Sequence, residues 1–144
     1  MHIRKAKVDD IINIVELEQK VFHESLGETF LYNELMLNPY AKMYVIEDNG
    51  LFIGYMGVRI DDQAEVMNLA IEPHFHHQGY GTQLLTYVLD DLKTLGAKSL
   101  SLEVRESNNK ARLFYEKCGF TYSHKRENYY PNEDALVYIK EVNP

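Results

Sequence analysis

Cysteine is almost missing from this sequence: Cys118 stands alone, which excludes an internal disulfide and fits a reducing compartment. Long hydrophobic runs are missing too. Nowhere does an apolar stretch approach the roughly 18 residues that a membrane-spanning helix needs. The opening Met1-His2-Ile3-Arg4-Lys5 has no apolar block behind it, so no secretory leader is expected. No Pro-, Gly- or Ser-rich linker, repeat or low-complexity tract interrupts the chain, and residues 1–144 are expected to form a single domain. Positive charge is in deficit, since 22 acidic against 15 basic residues leave a net charge of −7. Such a surface repels a phosphate backbone, which speaks against a nucleic-acid partner and for a cationic small molecule or basic peptide. Many inert acidic proteins share that balance. The expectation is a cytoplasmic globular domain without a membrane partner.

What is present is patterned. Asp9 precedes the run Ile11, Ile12, Ile14, Val15, Leu17, Val21 and Phe22, an amphipathic helix with an acid near its start. A shorter helix is predicted from Phe30 to Leu37, stopping before Pro39. Met43 to Glu47 and Leu51 to Ile60 are β-rich runs around Asp48-Asn49-Gly50, a hairpin signal. A second turn at Asp61-Asp62-Gln63 leads to a strand over Glu65 to Ile71. Leu84, Leu85, Val88, Leu89, Leu92 and Leu95 keep helical spacing, with Lys93 in the last turn and Gly96 as the stop. Ser99 to Val104 alternates, with Leu100, Leu102 and Val104 on one face and Ser99, Ser101 and Glu103 on the other. Ser107-Asn108 caps a helix running to Lys117 and ended by Gly119. Strands near Phe120 to Arg126 and Ala135 to Val142 flank a turn containing Pro131. The order is β-α-α-β-β-β-α-β-α-β-β, a mixed α/β layering of sheet and helices.

The segment His76-His77-Gln78-Gly79-Tyr80-Gly81-Thr82 joins a strand to the long helix. Two glycines one residue apart remove the Cβ atoms that keep a ligand off the backbone. Free N–H groups of the first helical turn, backed by the positive end of the helix dipole, suit a phosphate. A plain strand-to-helix turn fits the same residues equally well. The third glycine of a dinucleotide fingerprint and the Gly-Lys-Ser/Thr of a nucleotide-triphosphate loop are both missing.

Strand, x-x-Gly-x-Gly and helix together resemble the coenzyme A signature of the GNAT superfamily of N-acetyltransferases. The downstream runs Leu102-Glu103-Val104-Arg105-Glu106-Ser107-Asn108 and Leu113-Phe114-Tyr115-Glu116-Lys117-Cys118-Gly119-Phe120 resemble the same family's next strand and helix. Arg126-Glu127-Asn128-Tyr129-Tyr130-Pro131 with Asp134-Ala135 is similar to the branch that acetylates ribosomal-protein alanine. The resemblance covers nearly the whole chain and is loosest between residues 23 and 45. It implies a mixed, largely antiparallel central sheet flanked by about four helices, with acetyl-CoA as cosubstrate and no metal. It implies that Leu69, Ala70 and Ile71 offer backbone groups to the pantetheine arm. By the same resemblance His77, Gln78, Gly79, Tyr80, Gly81 and Thr82 surround the pyrophosphate, and Asn108 holds the cofactor near its thioester. The implied acceptor is the N-terminal α-amine of a protein, the alanine of a basic small-subunit ribosomal protein. The chain departs from the family at His76, where Gln or Arg is usual. Backbone amides do most of the gripping, so binding is expected to survive.

Acetyl transfer needs a neutral amine, a polarised thioester carbonyl and a protonated leaving thiolate. Glu103 lies on the polar side of its strand and reads as a surface or capping residue by spacing; the resemblance makes it the general base. Tyr115 shares a helical face with Ala111 and Cys118, where a packed core tyrosine is the default, and it matches the family's general acid. With a reference pKa of about 4.3, Glu103 suits relay through water to an α-amine of pKa about 7.7–8.0 better than to lysine at about 10.4. Asn128-Tyr129-Tyr130-Pro131 reads either as a turn with packed aromatics or, by resemblance, as a wall of the peptide entrance. His74, His76 and His77 lack the spacing of a metal set, and neither Cys nor Asp completes one. Cys118 reads as a small core residue rather than a covalent acetyl carrier.

Overall fold

The computed structural model describes residues 1–61 and 63–143. Its elements run β1 (His2–Lys5), α1 (Ile11–Phe22), α2 (Glu28–Leu37), β2 (Ala41–Asp48), β3 (Leu51–Ile60), β4 (Ala64–Ile71), α3 (Tyr80–Thr94), β5 (Ser99–Arg105), α4 (Asn109–Lys117), β6 (Thr121–Tyr130) and β7 (Glu133–Glu141). The order is the one the hydrophobic periodicity predicts. Of the expected turn at Asp61-Asp62-Gln63, Asp62 lies outside the described residues.

The seven strands form one sheet in the order β1-β2-β3-β4-β5-β7-β6. Every neighbouring pair is antiparallel except β4 and β5. Alternation sends Tyr44 and Ile46 of β2 to one face and Met43 and Val45 to the other. On the first face they meet Leu84, Leu85, Val88 and Leu92 of α3 and Tyr115 of α4. On the second they meet Ile11, Ile14 and Leu17 of α1 and Leu31 of α2. Both sides of the central strands are therefore covered, which is why β2 and β3 read as near-continuous apolar runs.

Local signals set the joints. Asn49 and Gly50 both take left-handed φ values, 51° and 79°, as a two-residue hairpin turn demands. After α3, the Gly96 N–H reaches the Lys93 carbonyl at 3.1 Å and the Ala97 N–H that of Leu92 at 3.0 Å, a Schellman closure. Gly119 repeats it after α4, where the Phe120 N–H holds the Tyr115 carbonyl at 3.0 Å. At the start of α1 the important acid is Asp10 rather than Asp9. Asp10 accepts the Lys7 N–H at 2.7 Å and both Arg4 guanidinium nitrogens at 2.8 and 2.9 Å.

Two differences concern the C-terminal hairpin. β6 continues to Tyr130, because Asn128 (φ 54°) absorbs an irregularity in the β6–β7 register instead of ending the strand. The turn itself is Pro131-Asn132, with Asn132 at φ 61°.

The end of β4 is set by a glycine on β3. Gly54 pairs with Ile71, and a Cβ there would stand 2.5 Å from the Ala70 carbonyl oxygen and 2.6 Å from Ile71 Cδ1. Only a hydrogen allows the two backbones to lie this close. Gly54→Ala is expected to lower unfolding free energy by about 1–3 kcal/mol through overpacking. Urea denaturation reads the effect, and a variant as stable as wild type would contradict the close approach.

Candidate active site

β4 is paired with β3 along its length, and β5 with β7 along its own. Between β4 and β5 only Ala64–Leu100 and Glu65–Ser101 pair, and beyond them the strands part. A bulge in β4 between Val66 and Asn68 bends it at the parting point. Leu69, Ala70 and Ile71 therefore follow the last β4–β5 pair. Ala70 is buried under α1, while Leu69 and Ile71 pack toward α3 and α4. Backbone polar groups at such an opening need partners other than a strand.

Beyond Ile71 the chain makes a 3-10 turn over Pro73–Phe75. The exposed His76 Nε2–H donates to the Ile71 carbonyl at 2.7 Å, tying the loop back to the strand end. His77 (φ 64°) and Gly79 (φ 84°) are both left-handed and flank Gln78. Such alternation curls consecutive N–H groups around a concavity suited to an anion. Gly79 is the N-cap of α3, and the N–H groups of Tyr80, Gly81 and Thr82 in the first turn have no acceptor within the helix. A Cβ on Gly79 would meet nothing within 4 Å, so the space above it is open.

Several loop side chains turn toward the protein. Gln78 Nε2 donates to the His74 carbonyl at 3.3 Å, the Tyr80 ring meets Phe75 edge-on at 5.8 Å, and the Thr82 hydroxyl lies against Cys118. What this loop presents is backbone. Asn108 caps α4, its Oδ1 accepting the Ala111 N–H at 3.1 Å, which leaves its Nδ2 uncommitted. Burial pushes the Cys118 thiol up, against the opposing effects of Thr82 and Lys140, so a reactive thiolate is disfavoured.

Glu103 and Tyr115 lie on opposite faces of the sheet. Leu102 and Val104 turn into the core beneath α3 and α4, so Glu103 faces the other way. There it lines a cleft of about 480 Å³ with Asn68, Leu26, Phe30, Arg126 and Tyr129 among its walls. Arg126 Nη1 donates to Glu103 Oε1 in an ion pair. The nearby Glu103 carboxylate, together with partial burial, raises the pKa of the Tyr129 hydroxyl. The Arg126 guanidinium stands 5.1 Å from the centre of the Tyr129 ring. Tyr115 is 8% exposed and set edge-on between Phe114 at 5.1 Å and Phe120 at 5.5 Å. Burial first, and the neighbouring Cys118 second, push the Tyr115 phenol well above its ordinary value. A protonated donor thus stands on one side of the parted sheet and a carboxylate on the other.

No sequence signal marks a role for Arg126, whose pairing with Glu103 crosses 23 residues of chain. Glu18 and Asn68 too gain their partners only in the fold. Glu18 follows Ile11 and Ile14 at helical spacing, so a charged residue on the apolar stripe was the available signal.

A seven-stranded sheet parted between two parallel neighbours, with a glycine loop and helix N-terminus at the opening, is the architecture of the N-acetyltransferases. The chain belongs to the acetyltransferase (GNAT) family, whose model matches residues 9–120, and it is an acyltransferase. It is 37% identical over 144 residues to a Bacillus subtilis (strain 168) protein assigned as ribosomal protein bS18-alanine N-acetyltransferase, covering 98% of this chain and 95% of that one. It is 34% identical over 123 residues to the Escherichia coli (strain K12) ribosomal protein bS18-alanine N-acetyltransferase, covering 83% of this chain and 76% of the relative. The crystal structure of the ribosomal-protein-S18-alanine N-acetyltransferase from Escherichia coli superposes with a TM-score of 0.90 at 27% identity, over 99% of this chain and 94% of that one.

Gly79 joins a left-handed backbone to open space. Gly79→Ala is expected to cost about 1–2 kcal/mol of stability from the backbone conformation. The new methyl group projects where an anion would approach, so affinity for coenzyme A is expected to fall by more than that strain accounts for. Calorimetric titration with coenzyme A reads the second effect, and unchanged affinity would remove this loop from the binding site.

Proposed function

We propose that residues 1–144 act as a single cytoplasmic N-acetyltransferase domain that moves acetyl from acetyl-CoA to the N-terminal α-amine of a protein. The N-terminal alanine of ribosomal protein bS18 is the proposed acceptor, a reading supported by the names of the relatives over most of the chain. The observation that carries it is the parted β4–β5 pair with Glu103 on one face and Tyr115 on the other.

In this reading the loop from His77 to Thr82 holds the pyrophosphate through backbone N–H groups. Leu69, Ala70 and Ile71 offer main-chain groups to the pantetheine arm, and Asn108 contributes its free Nδ2. Side-chain chemistry is not asked of Thr82 or Tyr80, whose side chains face Cys118 and Phe75. His76 serves the loop by bonding the Ile71 carbonyl, a structural task that spares it from gripping phosphate.

The acceptor amine enters from the Glu103 face. Glu103 takes a proton from the amine through a water molecule, and the nitrogen lone pair attacks the thioester carbonyl. The tetrahedral intermediate collapses, breaking the C–S bond, and the sulfur receives the Tyr115 hydroxyl proton. Arg126 pairs with Glu103 and holds the carboxylate beside the cleft, and the reading asks for an amine that is already partly neutral. An α-amine, with pKa about 7.7–8.0, meets that condition near neutrality and a lysine at about 10.4 does not.

Glu103→Gln and Tyr115→Phe are each expected to lower kcat by about 10²–10⁴-fold, the usual scale for a lost acid or base. Acetyl-CoA affinity should stay close to wild type. Thiol release with an alanine-initiated basic peptide measures the first, and full activity in either variant would remove that residue from the mechanism. Turnover on a lysine peptide with a blocked terminus, and none on the free alanine terminus, would sink the α-amine assignment. Tight acetyl-CoA binding without turnover on any amine would instead mark a binding module.

The pH profile is a separate check. kcat/KM is expected to rise toward about pH 8 as the α-amine loses its proton. Because Tyr115 is held above its ordinary value of 10.0, no fall in kcat from its ionisation is expected below about pH 10.

A further inference from the structure

A carboxyl group lies wholly buried behind the cleft with no cation as its partner. Glu18 of α1 is 0% exposed, and among the described residues its partners are four uncharged donors. Oε1 accepts from Ser25 Oγ at 2.7 Å and from the Leu26 N–H at 3.1 Å. Oε2 accepts from the Tyr55 hydroxyl and from Asn68 Nδ2 at 2.7 Å. Ser25 Oγ in turn accepts the Gly27 N–H at 3.0 Å, so the whole α1–α2 connection is stitched to one side chain. A leucine in this place would fill the volume without the cost of desolvating a carboxyl group. What the carboxyl supplies is direction, because it fixes two separate elements at once.

Both elements reach the cleft. Leu26 and Asn68 line it on the Glu103 side. Asn68 follows the bulge in β4, where the strands have already parted. Its Nδ2 donates to Glu18, which turns the other end of the amide, Oδ1, away from Glu18, and that atom is an acceptor only. An ammonium group that has given up one proton becomes a neutral primary amine with two N–H bonds and a lone pair. Holding one N–H on a fixed acceptor turns the lone pair toward a thioester in the opening.

We infer that Glu18 is a positioning residue for the acceptor. It pins Leu26 as a wall of the cleft and orients Asn68 so that Oδ1 receives an N–H of the incoming amine. This rests on the acetyl-transfer reading of the cleft given above.

The test exploits the amide of a glutamine. Glu18→Gln keeps shape but replaces one acceptor oxygen with an NH2 group facing Asn68 Nδ2. Two donors cannot face each other, so the Asn68 amide reverses and presents NH2 to the cleft. The acceptor peptide's KM is expected to rise about tenfold, the scale of one lost hydrogen bond with its desolvated partner, with little change in acetyl-CoA Kd. Adding Asn68→Asp supplies an acceptor for the new NH2 and returns an oxygen to the cleft. The double variant is expected to recover acceptor KM to within about threefold of wild type, the coupling of residues in contact. Glu18→Gln with unchanged KM, or a double variant with no recovery, would overturn the proposal, since a purely structural defect is not repaired by a second charge change. If Glu18→Gln does not fold, Asn68→Leu takes its place, with the same rise in KM expected and an unchanged KM counting against the proposal. A wild type inert toward alanine-initiated peptides rejects the acceptor reading itself. Amide exchange at Leu26 then decides the case for Glu18, faster exchange in Glu18→Gln supporting it and equal exchange overturning it.

Discussion

Two residue pairs, Ala64–Leu100 and Glu65–Ser101, join the halves of the sheet, and the site depends on there being no more. β1 to β4 form one antiparallel block and β5, β7 and β6 another. Each block pairs its own strands through ladders broken only by local bulges, so parting the blocks costs hydrogen bonds only along the facing edges of β4 and β5. A parallel pair is slightly weaker per residue than an antiparallel one, which makes this the least expensive seam to open. The seam also lies directly before the loop that leads to α3. An edge with unspent backbone groups thus ends beside a helix terminus with unspent N–H groups, and a ligand carrying both amides and phosphates suits the pair.

The supports around that seam come from distant parts of the chain. Gly54 admits the end of β4 against β3, and His76 ties the following loop to Ile71. The Phe120 N–H holds the carbonyl of Tyr115, so the helix ending at Gly119 also fixes the tyrosine. On the other face Glu133 accepts the Ser107 N–H at 2.7 Å and Arg105 lies 4.1 Å above the Tyr130 ring. The β6–β7 hairpin is thereby attached to the end of β5 that carries Glu103. Rigid strands place the chemistry, and the loops are bonded to the strands rather than left to position themselves.

Much of this was legible from residue order, because the governing signals are local. Asn49-Gly50, Gly96 and Gly119 end their elements through backbone conformations that few residues tolerate, and the structure places them in those conformations. The alternation of Leu100, Leu102 and Val104 was enough to turn Glu103 away from the core. Illegible were the interactions that span the fold. Asp10 rather than Asp9 anchors α1 because Arg4 reaches it from β1. The continuation of β6 past Arg126 depends on Asn128, whose N–H finds the Asp134 carboxylate at 2.8 Å. Glu18 looks like an error in an apolar stripe until Tyr55 and Asn68 are brought to it from 37 and 50 residues away. Spacing reveals which face a side chain occupies, but not which partner the fold will deliver to that face.

The separation of Glu103 from Tyr115 by the sheet also bears on how a phenol can serve as the acid in the mechanism we propose. Burial raises the Tyr115 pKa, which by itself makes it a poorer proton donor to a thiolate whose conjugate acid has a reference pKa of about 8.5. The same burial acts on the sulfur as it leaves, because a thiolate in that environment is deprived of water just as a tyrosinate is. Burial pushes both pKa values in the same direction, so it does not by itself oppose the proposed transfer. Glu103, facing an open cleft and paired with Arg126, lies outside that apolar setting. In the proposed reaction a carboxylate in an open, charged setting takes the amine proton and a phenol in an apolar one gives a proton to the sulfur, without the two groups exchanging protons directly. In that proposal the parted sheet does two jobs with one geometry, admitting the thioester and keeping its acid and base in different surroundings.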